Sequence, residues 1–234
     1  MTTLNAKNLT LREVVQLLKF EKLPNGSLTS LLSLQPLTEF EQQELVQIRD
    51  DFDSYLLAQR NRVSMQNHRF ETRDIRRNPV SRIEGQIKLL SVAPLLRLAG
   101  FYRSPVKLIL EEGIADIAIE DEGTTITGRL DILAVNKATL INNMPFVALV
   151  IETKNSLIDV VAGLPQLLTY AYKILENQTS VWGLVTNGAR YQFVYIQPGE
   201  RPNYQLMPLL NLMDLEPAIQ ILQTLKAICQ LTQI

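Results

Sequence analysis

The order of apolar patterns along these 234 residues predicts an α/β domain, a central mixed β-sheet flanked by helices, with an α-helical N-terminal extension before it. Three observations predict it. Apolar residues at helical spacing fill the first third. Short Leu/Ile/Val runs bounded by turn residues follow between about 105 and 196. One further helical pattern, with a Gly and a Pro near its start, separates the strands into two groups. The division this implies is a helical extension over residues 1–78, which includes an Arg-rich segment, and an α/β domain over 79–234.

In the extension, Thr10 to Glu13 and Thr38 to Glu41 each fit a capping box, in which a Thr hydroxyl and a Glu carboxylate satisfy backbone amides reciprocally. The second opens a pattern that runs to about Arg62, with Leu45, Ile48, Phe52, Leu56 and Leu57 on one side. Pro24-Asn25-Gly26-Ser27 is a turn. This third is expected to be a lid or arm with no chemistry of its own, or an interaction module for a partner. Arg60, Arg62, Arg69, Arg73, Arg76, Arg77 and Arg82 face only Glu71 and Asp74. Arginine forks match phosphate oxygens, so Arg73, Arg76, Arg77 and Arg82 are candidate nucleic-acid contacts; a solvated helix face is the plain alternative.

The α/β domain opens with a helix from Ser81 to Gly100, which Pro94 should kink or break. Strands are expected from Pro105 to Glu111, Ala115 to Ile119, and Thr125 to Val135. The last of these is followed by turn residues from Asn136 to Pro145 and a strand from Phe146 to Glu152. A helix from Leu157 to Leu175 should truly begin near Gly163, with Pro165 in its first turn. Two strands, Ser180 to Val185 and Tyr191 to Ile196, meet at Thr186-Asn187-Gly188. Residues 198–202 are a loop, and an amphipathic helix from Asp214 to Gln230 closes the chain. Trp182, Tyr191 and Phe193 belong to the core.

The chemistry gathers at one hairpin. A turn near Ile141 and Asn142 places Asp131 roughly opposite Glu152, and opposed residues have Cβ atoms about 5 Å apart. Side chains alternate along a strand, so Glu152 and Lys154 share a face and Thr153 points away. Two carboxylates that close repel each other unless a cation lies between them. Oxygen ligands with room for water suit Mg²⁺, with Mn²⁺ expected to substitute. Lys154 would stabilise developing negative charge or orient a water. Asp116 is the runner-up carboxylate, and His68, the only histidine, cannot build a zinc site alone.

Asp131 followed by Glu152-x-Lys154 resembles the PD-(D/E)xK nucleases, although Leu130 stands where that motif has Pro. Gln166-Leu-Leu-Thr-Tyr170 resembles the QxxxY element of some of them. Trp182-Gly-Leu-Val-Thr-Asn-Gly188 with Arg190-Tyr-Gln-Phe193 is similar to the strand pair after that helix in the nuclease domain of type I restriction R subunits. The resemblance spans about Ser81 to Ile196. It implies a restriction-endonuclease-like core and a metal-dependent DNA endonuclease. Asp131 and Glu152 would hold the ion, with the Thr153 backbone carbonyl and, by position in the first core helix, Glu84. Ser81 and Glu84 also form a capping box, which gives Glu84 a purely structural reading. Gln166 would contact a phosphate or the water at the metal, and Tyr170 would support it.

Composition narrows the setting. With 23 Lys and Arg against 24 Asp and Glu, contact with DNA must be local rather than global. The single cysteine, Cys229, excludes an internal disulfide and most cysteine-based metal sites. No apolar run reaches the ~20 residues of a spanning helix, and no signal-peptide pattern opens the chain, so a cytoplasmic protein with no membrane partner is expected. No P-loop is present, so a motor or modification subunit, if needed, is a separate chain; cutting both strands of a duplex would favour a homodimer. The alternatives are a non-catalytic nucleic-acid-binding or assembly protein that keeps the fold, and an α/β domain in which Glu152 and Lys154 merely pair.

Overall fold

The computed structural model describes residues 2–66, 84–111, 113, 117–119, 123–142, 144–155 and 158–231. Its centre is a seven-stranded mixed sheet of order β2-β10-β9-β8-β7-β6-β3, flanked by helices on both faces. The strands are β2 (Glu21–Lys22), β3 (Val106–Leu110), β6 (Ile132–Ile141), β7 (Met144–Thr153), β8 (Val181–Thr186), β9 (Arg190–Gln197) and β10 (Asn203–Asn211). A smaller sheet joins β1 (Thr2–Asn5), β5 (Thr124–Thr127) and β4 (Ile117–Ile119), with β1 parallel to β5.

Period-two alternation builds both apolar layers. Ile132, Ala134, Leu149, Ile151 and Leu184 face one layer, formed with α3 (Glu39–Gln66), α4 (Ala93–Ala99) and α6 (Leu215–Gln230). Val135, Val147, Val150, Val185 and Val194 face the other, with α1 (Leu11–Leu17) and α5 (Leu164–Leu175). Glu152 has the parity of Val150, so the strand itself aims it beneath α5. Leu45, Ile48 and Phe52 of α3 are buried in the first layer, and Ala6, Val14 and Leu18 in the second. Residues of the N-terminal third are thus built into both layers.

The two capping boxes predicted in the N-terminal extension are formed. Thr10 N donates to Glu13 Oε2 at 2.7 Å and Glu13 N to Thr10 Oγ1 at 3.3 Å. The same reciprocal pair links Thr38 and Glu41, at 2.8 and 3.2 Å. Ahead of Pro94 the helix does not kink into a loop but widens: Lys88–Val92 is a π-helical turn, closed by the Ala93 N–H on the Lys88 carbonyl. Pro94 has no N–H for the carbonyl four residues back, and the five-residue spacing accommodates that loss.

Several expectations from the sequence are corrected. The N-terminal third is not wholly helical, because β1 and β2 lie in it. The run from Thr125 to Val135 is two strands in two sheets, broken at Gly128, where a Cβ would stand 3.1 Å from Ala6 Cβ and 3.2 Å from Tyr170 Cε1. Residues 136–145 are mostly strand; the hairpin is tight, with Asn142 at φ +50° and β-bulges that keep the far end in register. The strand β10 went unread because Pro208 interrupts it. It is accommodated where the β10–β9 register shifts, between Leu206 and Leu209. Among the described residues no helix is long and apolar enough to cross a membrane.

Candidate active site

The hairpin delivers the predicted pair. Ile132 pairs with Ile151 across β6 and β7, which brings Asp131 opposite Glu152 at the open end of the hairpin. Glu152 is only 3% exposed and Lys154 is buried as well. Lys154 Nζ donates to Glu152 Oε1 at 2.8 Å, and it also donates to Gln166 Oε1. Gln166 Nε2 donates to the Tyr170 hydroxyl at 3.2 Å, and that hydroxyl donates to the Arg129 carbonyl. The strand pair and the first turns of α5 are therefore joined by one chain of hydrogen bonds, Glu152 to Lys154 to Gln166 to Tyr170 to the backbone just before Asp131. Four residues separate Gln166 from Tyr170 and they share a helix face. Burial raises the Tyr170 phenol far above its ordinary range, so the hydroxyl stays protonated and donates.

Thr153 departs from strict alternation. Its N–H and its hydroxyl both donate to Asp131 Oδ2, at 2.7 and 2.6 Å. Asp131 sits at a bend just before β6, so its carboxylate is free to turn toward the neighbouring strand end. The other Asp131 oxygen, Oδ1, accepts from Lys88 Nζ at 2.7 Å. Lys88 was not anticipated. It lies four residues after Glu84, and that i, i+4 spacing was the one signal in the sequence that the two share a helix face.

These groups line a cleft of about 400 Å³, whose walls include Asn5, Lys7, Glu84, Lys88, Glu111 and Arg129 around Asp131, Glu152, Lys154, Gln166 and Tyr170. Asn5 and Lys7 arrive through the pairing of β1 with β5, which no local pattern announces. Among the described residues no three His, Cys, Asp or Glu side chains gather closely enough to hold an ion together, so Glu84 stands on the wall of the cleft beside a carboxylate pair. Arg73, Arg76, Arg77 and Arg82 lie outside the described residues, as do Ser81, Asp116 and His68.

The electrostatics of the pair are lopsided. Among the described residues, Glu152 Oε2 is buried with no hydrogen-bond partner. Burial and, after it, the charge of Asp131 push the Glu152 carboxyl up to about 8, against the pull of Lys154. Each carboxylate already has one ammonium, Lys154 on Glu152 and Lys88 on Asp131, yet Glu152 Oε2 has no partner among the described residues, and a small divalent cation with oxygen preference fits that unmet acceptor.

Close packing holds this floor in place. A Cβ on Gly163, just before α5, would stand 2.3 Å from Val185 Cγ1 and 3.3 Å from both Glu152 Cγ and Lys154 Cε. Val185 is buried in a central strand and cannot swing aside. Gly163→Ala is expected to cost about 1–3 kcal/mol of stability, read from denaturant midpoints, through overpacking. Wild-type stability in the variant would show that the helix and strand are not in this contact.

No family model matches the chain, and no curated protein matches it. Among solved structures, the chain is similar to a fragment of an HsdR subunit of a type I restriction enzyme from Vibrio vulnificus YJ016. The two are 19% identical, with a TM-score of 0.36 over 59% of this chain and 25% of that one. This chain therefore spans about a quarter of that protein, and the likeness is too distant to place any residue of the site.

Proposed function

We propose that this chain is a metal-dependent DNA endonuclease built on a restriction-endonuclease-like, PD-(D/E)xK core. The observation that carries the reading is the buried Glu152 Oε2, unpartnered among the described residues, on a strand end opposite Asp131, with Lys154 fixed on the other carboxylate oxygen. Asp131 and Glu152 would hold the divalent ion, Mg²⁺ or Mn²⁺ in its place, with the Thr153 carbonyl as an additional oxygen; Glu84, on the cleft wall and not gathered with that pair, would reach the ion only through water. When bound, the ion supplies charge stabilisation at the phosphoryl oxygens and lowers the pKa of water. Lys154, oriented by Gln166, faces the position where negative charge grows on the phosphate. Gln166 is anchored by Tyr170, so the ammonium is set in place before substrate arrives. Thr153 locks one Asp131 oxygen and leaves the other toward the cleft. Arg73, Arg76, Arg77 and Arg82 are proposed to contact the DNA backbone.

Cleavage tests this directly. Wild type, Glu152→Ala and Asp131→Ala are compared on supercoiled plasmid and single-stranded DNA with Mg²⁺, Mn²⁺ or EDTA. The expected result is metal-dependent nicking or cutting by the wild type alone, with both variants folded. Cutting by either variant at saturating metal would remove the assignment. DNA binding without cutting, and without any effect of metal, would return the chain to the non-catalytic binding reading.

A further inference from the structure

Asp131 has only one oxygen to offer. Oδ2 accepts two donors from Thr153, at 2.6 and 2.7 Å, and Oδ1 is held by Lys88 Nζ at 2.7 Å. A divalent ion on Oδ1 would sit about 2.1 Å from it, which puts ion and ammonium close enough for strong like-charge repulsion. Glu152 differs: its buried Oε2 accepts no hydrogen bond among the described residues, and only Oε1 is engaged.

The two lysines that bond the carboxylate pair, Lys88 and Lys154, are also unlike. Lys154 is buried and donates to two acceptors, and its own backbone N–H is tied to the Thr186 carbonyl at 2.8 Å. Lys88 is about a quarter exposed, and Asp131 is its one hydrogen-bond acceptor among the described residues. It stands where the helix passes into the π turn. One extra residue per turn rotates the preceding face by about 100° relative to an unbroken helix, so the turn that Pro94 calls for decides that Lys88 and Glu84 face the cleft.

From this we infer that Lys88 is an exchangeable counter-ion: it neutralises Asp131 while the site holds no metal, and the arriving ion displaces it into the cleft, where it becomes a contact for the anionic substrate. The inference rests on the reading of the cleft as a metal-dependent site. Lys88 is then a positioning residue whose removal has an unusual sign. A ligand or a purely structural support lowers metal affinity when lost; a competitor raises it.

The test is calorimetric titration of Mn²⁺ into the full chain without DNA, for wild type, Lys88→Met, Lys88→Gln and Arg129→Met. Arg129 is the control cation: it lines the same cleft, is well exposed, and reaches Glu111 at 3.4 Å rather than Asp131. Both Lys88 variants should bind Mn²⁺ roughly five- to tenfold more tightly, the net size of one ordinary hydrogen bond for a partly exposed pair, and Arg129→Met should stay within about twofold of wild type. In parallel the metal-free melting temperature of the Lys88 variants should fall, and saturating Mn²⁺ should close that gap. Unchanged or weaker binding in both Lys88 variants overturns the exchange, and so does equal tightening in Arg129→Met, which would mark a general charge effect. Absence of Mn²⁺ binding in wild type and variants alike would instead remove the metal-site reading beneath it. Should Lys88→Met fold poorly, Lys88→Gln, which keeps a donor without the charge, carries the comparison.

Discussion

Lys154→Met should cost little at low pH and much at high pH. Lys154 is the one partner that Glu152 has for its buried carboxylate, and Glu152 Oε2 already lacks one. At pH 6 the Glu152 carboxyl is protonated, so the variant loses a hydrogen bond and leaves the Gln166 carbonyl unsatisfied, worth about 1–3 kcal/mol. Near pH 9 the wild type ionises Glu152 against Lys154, while the variant, whose carboxyl loses the ammonium that pulls it down, must hold its proton or bury an unpaired charge, so the cost rises further. Denaturant midpoints at the two pH values read the difference. Glu152→Gln/Lys154→Met should recover most of the high-pH loss, because the charge that needed the lysine is gone, and the double-mutant cycle would show strong coupling. A cost independent of pH would mean that Glu152 and Lys154 do not share a charge.

Glu152→Gln is expected to stabilise the metal-free protein at alkaline pH while removing its response to metal. The folded state holds the Glu152 proton up to about pH 8, against an ordinary value of 4.5. A group whose folded pKa is raised contributes stability that is complete below its unfolded value and is lost as pH climbs through the folded one. Wild-type melting temperature without metal should therefore fall between about pH 5 and pH 8. The Gln variant lacks that slope and overtakes wild type at the upper end. A divalent ion competes with the same proton, so stabilisation of the wild type by Mg²⁺ should grow across this window and be absent from the variant. A wild-type profile as flat as that of the variant would contradict the burial of an ionisable Glu152.

How much of this was legible in the sequence depends on how far apart the contacting residues lie. Asp131, Glu152 and Lys154 could be placed because one hairpin and one strand's alternation relate them, even though two bulges intervene. Gln166 and Tyr170 could be placed because four residues on a helix fix their shared face. Lys88 could not be joined to Asp131. Their contact spans 43 positions and depends on a π turn and on how that helix packs against the sheet. The strand β1 is a sharper case: four residues near the start of the chain pair in parallel with β5 across about 120 positions, and only that pairing brings Asn5 and Lys7 to the cleft. The alternation rule also failed at Thr153, where Asp131 lies at a bend and bonds its hydroxyl from outside the strand. The interior of α3 behaved as its spacing predicts at Leu45, Ile48 and Phe52, all inward, but Leu57, expected on the same side, is 49% exposed.

The central claim is that Asp131 and Glu152 together hold a divalent cation. Equilibrium Mn²⁺ binding at pH 8, wild type beside Asp131→Asn, tests it most directly. Asparagine keeps an acceptor for Thr153 and takes away the charge. Saturable binding by the wild type that disappears in a folded Asp131→Asn is the result this structure predicts. Binding that is equal in both, or absent from the wild type, would contradict it.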